Sequence, residues 1–423
     1  MPRPMKDSGV EWLGEIPAHW KISRLKYVGN YVNGYAFKPE QWGDKGKLII
    51  RIQDLTGSNN KPNYYDGEID QKYYVKKGDI LVSWAATLDA FIWNKGEGLL
   101  NQHIFKANNN GELVEYNFFF YLLKVAMEYM NNDNKHGIMM QHVTLNVFGN
   151  FIVPVPPLDE QQRIATFLDG KCARIDSVIE KTRASIEEYK KLKQSLITRA
   201  VTKGIRPARP MKHSGVEWIG DIPSDWKVIK LKYVALFQPS CDTSKLTEET
   251  EITYTPMECI KNGYFINNVT TYGNVAKSLT PYNDGDIVLA KVTPCFENGN
   301  IAVMENLSSG FGLGSSELFV LRPYSIATRY LFYWLQNNLF MQQGCATMTG
   351  TGGLKRVSPY FVKNSFVTYP PLEEQKEIAR YLDEKTAAID LVVGKKNQLV
   401  TELERLKKSL IFEYVTGKKA VAI

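Results

Sequence analysis

The sequence contains one long segment twice, and this internal repeat is the strongest constraint on its fold. Residues 3–28 and 209–234 align without a gap and are identical at 18 of 26 positions. A second pair of blocks, residues 156–202 and 370–416, is identical at 23 of 47 positions. Repeats this long are duplicated domains, because solenoid modules are only about 20–50 residues long. The chain is therefore two copies of one unit, about 1–208 and 209–423.

Between the matched blocks, the two copies share only short islands. Gly78-Asp79-Ile80 matches Gly285-Asp286-Ile287, and the aromatic run FFFYLL at 118–123 matches YLFYWL at 330–335. The approach to the second block, QHVTLNVFGNFIV at 141–153, matches KRVSPYFVKNSFV at 355–367. The islands predict one shared fold, and the remaining sequence indicates that the surfaces of the two copies differ.

The second block of each copy predicts a long helix. Pro-Pro at 156–157 and 370–371 is followed by acidic residues, which suit the positive end of a helix dipole. Apolar residues then recur at helical spacing, and the last four of the second copy predict a heptad seam. They are Ile164, Leu168, Ile175, Val178, Ile186, Tyr189, Leu192 and Leu196, and then Ile378, Leu382, Ile389, Val392, Leu399, Leu403, Leu406 and Leu410.

A helix of roughly 69 Å, the length expected from Leu158 to Lys203, needs a partner for so narrow an apolar stripe. Both helices carry the same seam at the same length, so we expect them to pack on each other rather than each on its own domain. The hexapeptide from Ile205 to Pro210 joins the first helix to the next domain, and because this whole domain precedes the second helix, an antiparallel coiled coil is the easier arrangement. The two domains would then lie at opposite ends of the coiled coil, related by a pseudo-two-fold axis.

The rest of each copy predicts an α+β domain. Short runs such as KLIIRI, DILVSWAA, DIVLAKV and ELFVLRP alternate with turn residues, and one aromatic helix is expected near 115–130 and another near 327–342. The predicted fold class is α+β, with two domains of mixed α/β structure joined by the long helices. The expected segments are 1–155, then 156–208 with the first long helix and linker, then 209–369, and 370–423 with the second long helix.

The composition restricts the function more than it reveals it. Lys and Arg number 52 against 45 acidic residues, a net charge of +7, which allows a nucleic-acid partner without requiring one. The five cysteines are scattered, and no 18-residue apolar run is present, so we expect a cytoplasmic protein with no membrane contact. No phosphate-binding loop, dinucleotide-binding loop or serine elbow occurs. The sequence therefore predicts a recognition scaffold without catalytic residues, metal or cofactor of its own.

The order of segments resembles the specificity (S) subunit of type I restriction–modification enzymes. That order is a variable domain, a PPLxEQxxIAxxLD helix, a second variable domain and a second such helix. The openings SGVEWLGEIPAHWKISRLKYV and SGVEWIGDIPSDWKVIKLKYV are similar to that family's entry into its target-recognition domains. The match covers essentially the whole chain. We expect the repeated Trp, Pro and Leu-Lys-Tyr-Val positions to anchor each domain to a long helix or a partner, or to form plain core.

The resemblance implies a non-catalytic DNA-reading subunit for host defence. Each target-recognition domain would read one half of a bipartite, asymmetric target in double-stranded DNA. The coiled coil would set the spacer and dock two methyltransferase (modification) subunits, which restriction/translocase subunits join. S-adenosylmethionine, ATP and Mg would belong to those partners. The alternatives are a coiled-coil adaptor that binds only proteins, and the recognition subunit of a related methylation-only system.

Candidate DNA contacts are polar and basic side chains in the loops of each domain. Guanine is bound by Arg or Lys and adenine by Asn or Gln, and phosphates accept hydrogen bonds from Lys, Arg and Ser. Gln141-His142 and Lys355-Arg356 precede an equivalent Val in the two copies, which makes them the best supported. The candidates are Asn101, Gln102, His103, Lys135, His136, Gln141 and His142 in the first domain, and Lys291, Asn298, Ser315, Ser316, Lys355 and Arg356 in the second.

Overall fold

The computed structural model describes residues 3–58, 61–133, 144–276, 278–351 and 353–421. It divides into two compact units. Unit 1 is the chain up to Thr182 together with the segment from Gln398 onwards, and unit 2 is Arg183–Asn397. This division runs through both long helices, so each unit contains one mixed α/β head and a part of each helix.

The helices confirm the predicted long segments to within a residue. They are α1 (Leu25–Val28), α2 (Ile52–Thr56), α3 (Tyr116–Asp133), α4 (Leu145–Asn150), α5 (Leu158–Lys203), α6 (Thr328–Gln336), α7 (Asn338–Ala346), α8 (Pro359–Asn364) and α9 (Leu372–Val415).

The strands of the two heads correspond one to one. Those of unit 1 are β1 (Met5–Asp7), β2 (Glu15–Pro17), β3 (Lys21–Arg24), β4 (Gly29–Asn33), β5 (Lys47–Ile50), β6 (Tyr64–Tyr65), β7 (Tyr74–Val75), β8 (Ile80–Ser83), β9 (Asp89–Ile92), β10 (Gly98–Leu100), β11 (Ile104–Asn109) and β12 (Ile152–Val155). Those of unit 2 are β13 (Met211–His213), β14 (Asp221–Pro223), β15 (Lys227–Lys230), β16 (Ala235–Phe237), β17 (Glu251–Thr255), β18 (Asn268–Thr271), β19 (Thr280–Asn283), β20 (Ile287–Ala290), β21 (Ile301–Val303), β22 (Phe311–Gly314), β23 (Leu318–Pro323) and β24 (Phe366–Tyr369).

The two heads have the same sheet topology. Each has two four-stranded sheets, ordered β6-β5-β10-β7 and β4-β11-β8-β9 in unit 1, and β18-β17-β22-β19 and β16-β23-β20-β21 in unit 2. A two-stranded ladder, β3-β12 or β15-β24, joins the start of each head to its end. Strands β10 and β22 pair in parallel with β5 and β17, and the other ladders are antiparallel. The duplicated sequence therefore specifies a duplicated α+β domain.

One expected helix differs between the copies. The aromatic run of the first head forms the single helix α3, whereas the segment near 327–342 is broken between α6 and α7. Asn337 lies at the break with a buried side chain, and its Oδ1 accepts a hydrogen bond of 3.0 Å from the backbone N–H of Phe340. Asn is a strong N-cap residue, so it starts a new helix here instead of continuing the old one.

In each unit the long helices pack antiparallel. In unit 1, Phe167 of α5 contacts Tyr414 of α9 with ring centroids 4.5 Å apart, and Asp176 accepts a hydrogen bond of 2.6 Å from Lys407. In unit 2, Lys193 donates to Asp390 at 2.7 Å. As the residue numbers increase along α5, the numbers of their contact partners decrease along α9. The two helices are therefore antiparallel, as predicted.

The predicted heptad seam is partly wrong. Ile164, Leu168, Ile378 and Leu382 are buried, and they pack against the cores of their heads. Several other apolar positions lie at the surface with two fifths or more of the residue exposed. These are Val178, Leu192, Leu399 and Leu406. The physical reason is that Ala, Thr and Cys occupy part of the buried stripe, for example Cys172, Thr182 and Thr386.

The repeated opening segment attaches each head to the start of a long helix. The indole Nε1 of the fully buried Trp20 donates a hydrogen bond of 2.9 Å to Glu160, and Trp226 donates one of 3.0 Å to Glu374. Both carboxylates lie in the first turn of their helices, where the dipole favours negative charge. The expected anchoring to the long helices is confirmed for Trp20 and Trp226, whereas Trp12 and Trp218 pack on aromatic side chains of their own heads.

The next residue of each motif, Gln161 or Gln375, is buried and satisfies backbone groups of the head. Gln161 accepts a bond from the Glu115 N–H at 2.8 Å and donates to the Pro156 carbonyl at 2.8 Å. Gln375 does the same with Ala327 and Pro370, at 2.8 and 2.9 Å. The Glu-Gln pair of PPLxEQ is therefore structural, since burying these groups unpaired would be costly.

A third repeated contact joins an acid of each long helix to a tyrosine of the adjoining head. The hydroxyl of Tyr121 donates to Asp169 at 2.7 Å, and the hydroxyl of Tyr333 donates to Asp383 at 2.7 Å. Each bond joins the aromatic helix of a head to a long helix. Burial raises the pKa of both tyrosines, so the hydroxyls keep their protons at neutral pH.

Candidate nucleic-acid interface

In unit 2, three segments distant in sequence meet at one corner of the head. They are the residue after β20, the turn between β22 and β23, and a hairpin between α7 and α8. The N–H of Lys291 donates to the Glu317 carbonyl at 3.0 Å, and the N–H of Val357 donates to the Lys291 carbonyl at 2.8 Å. We call this meeting of Lys291, Ser315–Glu317 and the described hairpin residues 349–351 and 353–356 the second-head corner.

An ion pair with two hydrogen bonds lies at the second-head corner. Arg356 Nε donates to Glu317 Oε2 at 2.9 Å, and Arg356 Nη2 donates to Glu317 Oε1 at 2.7 Å. The Arg356 side chain is 44% exposed and that of Glu317 is 28% exposed. These bonds lower the pKa of Glu317 and raise that of Arg356, so both remain charged near neutral pH.

Backbone bonds fix the hairpin that carries Arg356. Arg356 N donates to the Thr349 carbonyl at 2.8 Å, and Thr349 N donates back at 3.1 Å. Gly350 has φ 147°, and a Cβ there would lie 2.2 Å from the Leu354 carbonyl oxygen, so only glycine fits. The hydroxyl of Thr293 accepts a bond from Lys355 N at 2.9 Å and donates to Gly353 O at 3.0 Å.

The first head has a corner at the equivalent place. Trp84 follows β8 as Lys291 follows β20, and its N–H donates to the His103 carbonyl at 3.1 Å. The ladders give the same equivalence, because Ile104 pairs with Ser83 as Leu318 pairs with Ala290. His103 therefore stands where the second head has Glu317. The rings of Trp84 and His103 pack edge to face, with centroids 4.8 Å apart. We call Trp84 and Asn101–His103 the first-head corner.

A groove of about 440 Å³ adjoins the first-head corner. Its lining combines aromatic, basic and amide side chains, which are the groups that stack on bases or bond to base edges and phosphates. They include Trp42, Arg51, Gln53, Asn101, Gln102 and His103. The guanidinium of Arg51 lies 5.5 Å from the centre of the Trp42 ring. Gly34 allows the chain to pass the corner, because a Cβ there would clash with the Asn101 backbone.

The structure brings most of the predicted residues it describes to these two corners. Asn101, Gln102 and His103 form one turn of the first-head corner, although Asn101 is buried. In the second head, Lys291 Nζ donates to the Ser316 carbonyl at 2.6 Å, and Ser315 Oγ accepts from Glu317 N at 3.2 Å. Lys355 and Arg356 are exposed on the hairpin.

The remaining candidates are not brought to a corner. Asn298 is exposed on the connection from β20 to β21, where its carbonyl accepts a bond of 3.0 Å from Asn262. The four others, Lys135, His136, Gln141 and His142, lie outside the described residues. Which of all these side chains contact DNA stays a prediction.

Sequence reasoning missed Trp84 and Glu317. The signal was present in the islands, because Gly78-Asp79-Ile80 and Gly285-Asp286-Ile287 place Trp84 and Lys291 in equivalent positions. Glu317 is not among the basic, amide and hydroxyl side chains by which the candidates were selected. Its bonds to Arg356 join residues 39 positions apart, and no local pattern indicates them.

Exposed apolar residues recur at equivalent positions of the two copies. Three pairs of equivalent residues are exposed, with between 45% and 62% of each residue accessible. The pairs are Tyr27 and Tyr233, Leu158 and Leu372, and Leu192 and Leu406. Lys26 and Lys232 lie over the two tyrosine rings, 5.2 and 5.3 Å from the ring centres. The two copies therefore expose large apolar side chains at the same three positions.

The described part of the chain contains no group of three or more His, Cys, Asp or Glu side chains placed to hold a metal ion. Among the described helices, none combines the length and the apolar character needed to span a bilayer.

Comparison with known proteins gives a consistent family assignment. The family model "Type I restriction modification DNA specificity domain" matches residues 17–188 and again residues 223–401. The MjaVIII type I specificity subunit of Methanocaldococcus jannaschii is 27% identical over 95% of this chain and 93% of its own. The EcoBI specificity subunit of Escherichia coli is 24% identical over 97% of this chain and 89% of its own.

A solved structure has a similar fold. A chain from work on complex assembly and conformational transition of the type I R-M system aligns with a TM-score of 0.64 at 18% identity. The alignment covers 96% of this chain and 99% of that one. Both copies of the repeat therefore match the same DNA specificity domain, and the fold extends over nearly the whole chain.

Proposed function

Because this chain belongs to the family of type I restriction–modification DNA specificity proteins, we propose that its two heads read the two halves of a bipartite target in double-stranded DNA. The observation that carries the proposal is the equivalence of the two corners. One backbone framework presents Trp84 and His103 in the first head and Lys291 and Glu317 in the second. Different side chains on the same framework suit two different half-sites, as an asymmetric target requires.

The chemistry of each corner fits DNA. In the second head, Lys291, Lys355 and Arg356 supply positive charge, and charge of this kind binds phosphates and guanine. In the first head, the groove offers Trp42 and Arg51 beside amide groups that suit adenine. The two half-sites should therefore differ in base composition as well as in sequence.

The repeated exposed apolar residues support docking of two copies of one partner. A partner that binds Tyr27, Leu158 or Leu406 of unit 1 finds an equivalent residue in unit 2. We assign this partner as the methyltransferase subunit, with restriction/translocase subunits joining the assembly. The bound S-adenosylmethionine, ATP and Mg would belong to those subunits. This chain would recognise the target sequence and set the distance between its half-sites.

The test is to express the chain with its methyltransferase in a host that lacks other modification systems, and to sequence the methylated bases. The proposal predicts methylation at a single motif made of two half-sites with a fixed spacer. Methylation without a motif, or no dependence on this chain, would identify a protein-binding adaptor instead. Modification without cleavage when all subunits are present would place the chain in a methylation-only system.

A further inference from the structure

We infer that Glu317 positions Arg356 to recognise a guanine in the half-site read by the second head. This inference rests on the proposed DNA-reading function and deepens it, because it assigns a base and the residue that orients its reader. The residue touching the base would be Arg356, and Glu317 would act through it.

The hydrogen bonds of the ion pair leave one edge of the guanidinium available. A guanidinium has five N–H donors in a planar fork, and Glu317 accepts from Nε and from one N–H of Nη2. The remaining donors, both on Nη1 and the second on Nη2, form the end of the fork. Among the described residues, only Glu317 bonds to this guanidinium. Guanine presents O6 and N7 side by side in the major groove, and two parallel N–H donors match them.

The corner also fixes the direction in which this edge points. Arg356 bonds through its backbone to Thr349, and Glu317 receives the Lys291 N–H on its carbonyl. Both ends of the ion pair therefore rest on bonded backbone. A long Arg side chain loses much rotamer freedom on binding, and a partner that orders it beforehand lowers that cost.

The alternative is that the ion pair only ties the hairpin to the turn. The hairpin already has backbone bonds between Thr349 and Arg356, and Thr293 links it to β20 through two further hydrogen bonds. An ion pair with the Arg side chain 44% exposed adds little to stability. The corner can therefore fold without the ion pair. A fixed orientation of the Arg356 side chain, in contrast, requires it.

The acid is also compatible with DNA at this corner. Lys291 Nζ lies 3.9 Å from Glu317 Oε2, and Lys355 is exposed beside Arg356. Two basic side chains, Lys291 and Arg356, therefore flank one carboxylate, and Lys355 is a third basic side chain at the corner. The local charge remains positive when the pair is formed.

The experiment measures selectivity at each base position for variants of the whole chain expressed with its methyltransferase. Arg356→Ala should reduce the preference for guanine at one position of one half-site by roughly tenfold to a hundredfold. Glu317→Gln should reduce the preference at the same position and leave the other half-site unchanged. If Arg356→Ala is inactive, Arg356→Lys gives the same readout, because lysine keeps the charge without the planar fork.

Two controls separate positioning from structure. Glu377→Gln removes the acid of another exposed Arg–Glu pair of unit 2, where Arg206 Nη2 donates at 2.7 Å, and should leave every position unchanged. The exchange Glu317→Arg with Arg356→Glu restores an ion pair but moves the guanidinium to the turn. This double variant should not regain selectivity for guanine. If the ion pair only held the hairpin to the turn, the exchanged pair would restore selectivity.

Three results would overturn the inference while the proposed function stands. The first is a Glu317→Gln variant that keeps full selectivity at the position lost in Arg356→Ala. The second is a Glu317→Gln variant that relaxes a different position, which would mean that the acid contacts a base itself. The third is an Arg356→Ala variant that weakens all sequences alike, as a phosphate contact would. Failure of the proposed function would appear in the unmodified chain, as the lack of a bipartite motif.

Discussion

The indole Nε1 of Trp226 donates a hydrogen bond of 3.0 Å to the carboxylate of Glu374, and the exposure of both residues is 3% or less. Arg209 pairs with the same carboxylate and lies over the Trp226 ring, 5.5 Å from its centre. In unit 1, Trp20 likewise donates to Glu160 and Arg3 lies over the Trp20 ring, but the residue that pairs with this carboxylate is His19. The sixteen-residue phrase is thus repeated because each head must attach to the first turn of a long helix.

Removing the carboxylate at this attachment should destabilise unit 2. Glu374→Ala leaves the Trp226 N–H buried without an acceptor, while Arg209 keeps its bonds to Asp225 at 2.7 and 2.8 Å. We expect a loss of about 1.5–3 kcal/mol in the free energy of unfolding, measured by urea titration. Glu373→Ala at the neighbouring exposed position should change it by less than about 0.5 kcal/mol. Equal effects of the two substitutions would contradict this role for Glu374.

Stability should fall at alkaline pH partly through Tyr330. This hydroxyl is fully buried in unit 2, bonded to the Thr368 hydroxyl at 2.8 Å, and burial raises its pKa. Above about pH 10 the unfolded chain releases the proton and the folded chain keeps it, so the folded state loses stability as pH rises.

The measurement compares urea unfolding at pH 7 and pH 11. Tyr330→Phe should be less stable at pH 7, because the Thr368 hydroxyl and the Val201 carbonyl each lose a hydrogen-bond partner. Its further loss of stability on going to pH 11 should be smaller by about 1.4 kcal/mol. Tyr360→Phe, at a residue that is 76% exposed, should behave like the unmodified chain at both pH values. An unchanged pH dependence in Tyr330→Phe would show that this hydroxyl does not contribute.

The repeated surface leucines should be needed for docking of the methyltransferase. Leu192→Glu and Leu406→Glu place a charge on equivalent exposed positions of α5 and α9. Each should weaken binding of one methyltransferase copy by about tenfold or more, and the double variant should bind neither. Native mass spectrometry of the assembled complex counts the copies.

The matched controls are leucines on α9 that are exposed but not repeated. Leu391 is 62% exposed and corresponds to Ser177, and Leu399 is 42% exposed and corresponds to Ser185. Their replacement by Glu should leave two methyltransferase copies bound. Loss of binding in these controls, or full binding by the double variant, would contradict docking at Leu192 and Leu406.

Shortening both long helices should change the spacer of the target and leave its half-sites intact. Deleting seven residues from each helix at matched positions removes roughly 10 Å, which is about three base pairs of DNA. Sequencing of methylated bases should then show the same half-sites at a shorter separation. Full activity at the original separation would contradict the role of the helices as a spacer.

The long helices and their attachment were the most predictable parts of the fold. Their bounds follow from the Pro-Pro, the acidic first turn and the helical spacing of apolar residues, and these signals are local. The prediction of the seam was wrong at Leu399 and Leu406 because spacing cannot tell which of two adjacent apolar stripes is buried when Ala and Thr occupy the other.

The candidate interface was less predictable for a different reason. Polar loop residues such as Gln102 and Lys355 could be selected by type, but the corners depend on strands that meet across the sheets. Asp169 and Glu317 have partners 48 and 39 positions away, Tyr121 and Arg356, so their roles become visible only in the folded chain. The sequence signal that indicates the corners is the equivalence of the two copies, in which Trp84 and Lys291 occupy matching positions.

Independent reading by the two heads is the central claim, and one comparison of methylated motifs tests it most directly. The pair Lys355→Ala and Arg356→Ala alters only the second-head corner, and the pair Trp84→Ala and His103→Ala alters only the first. Each pair should relax or change one half-site and leave the other half-site and the spacer unchanged. If either pair rewrites both half-sites, or if both pairs alter the same half-site, the two heads do not read the target separately.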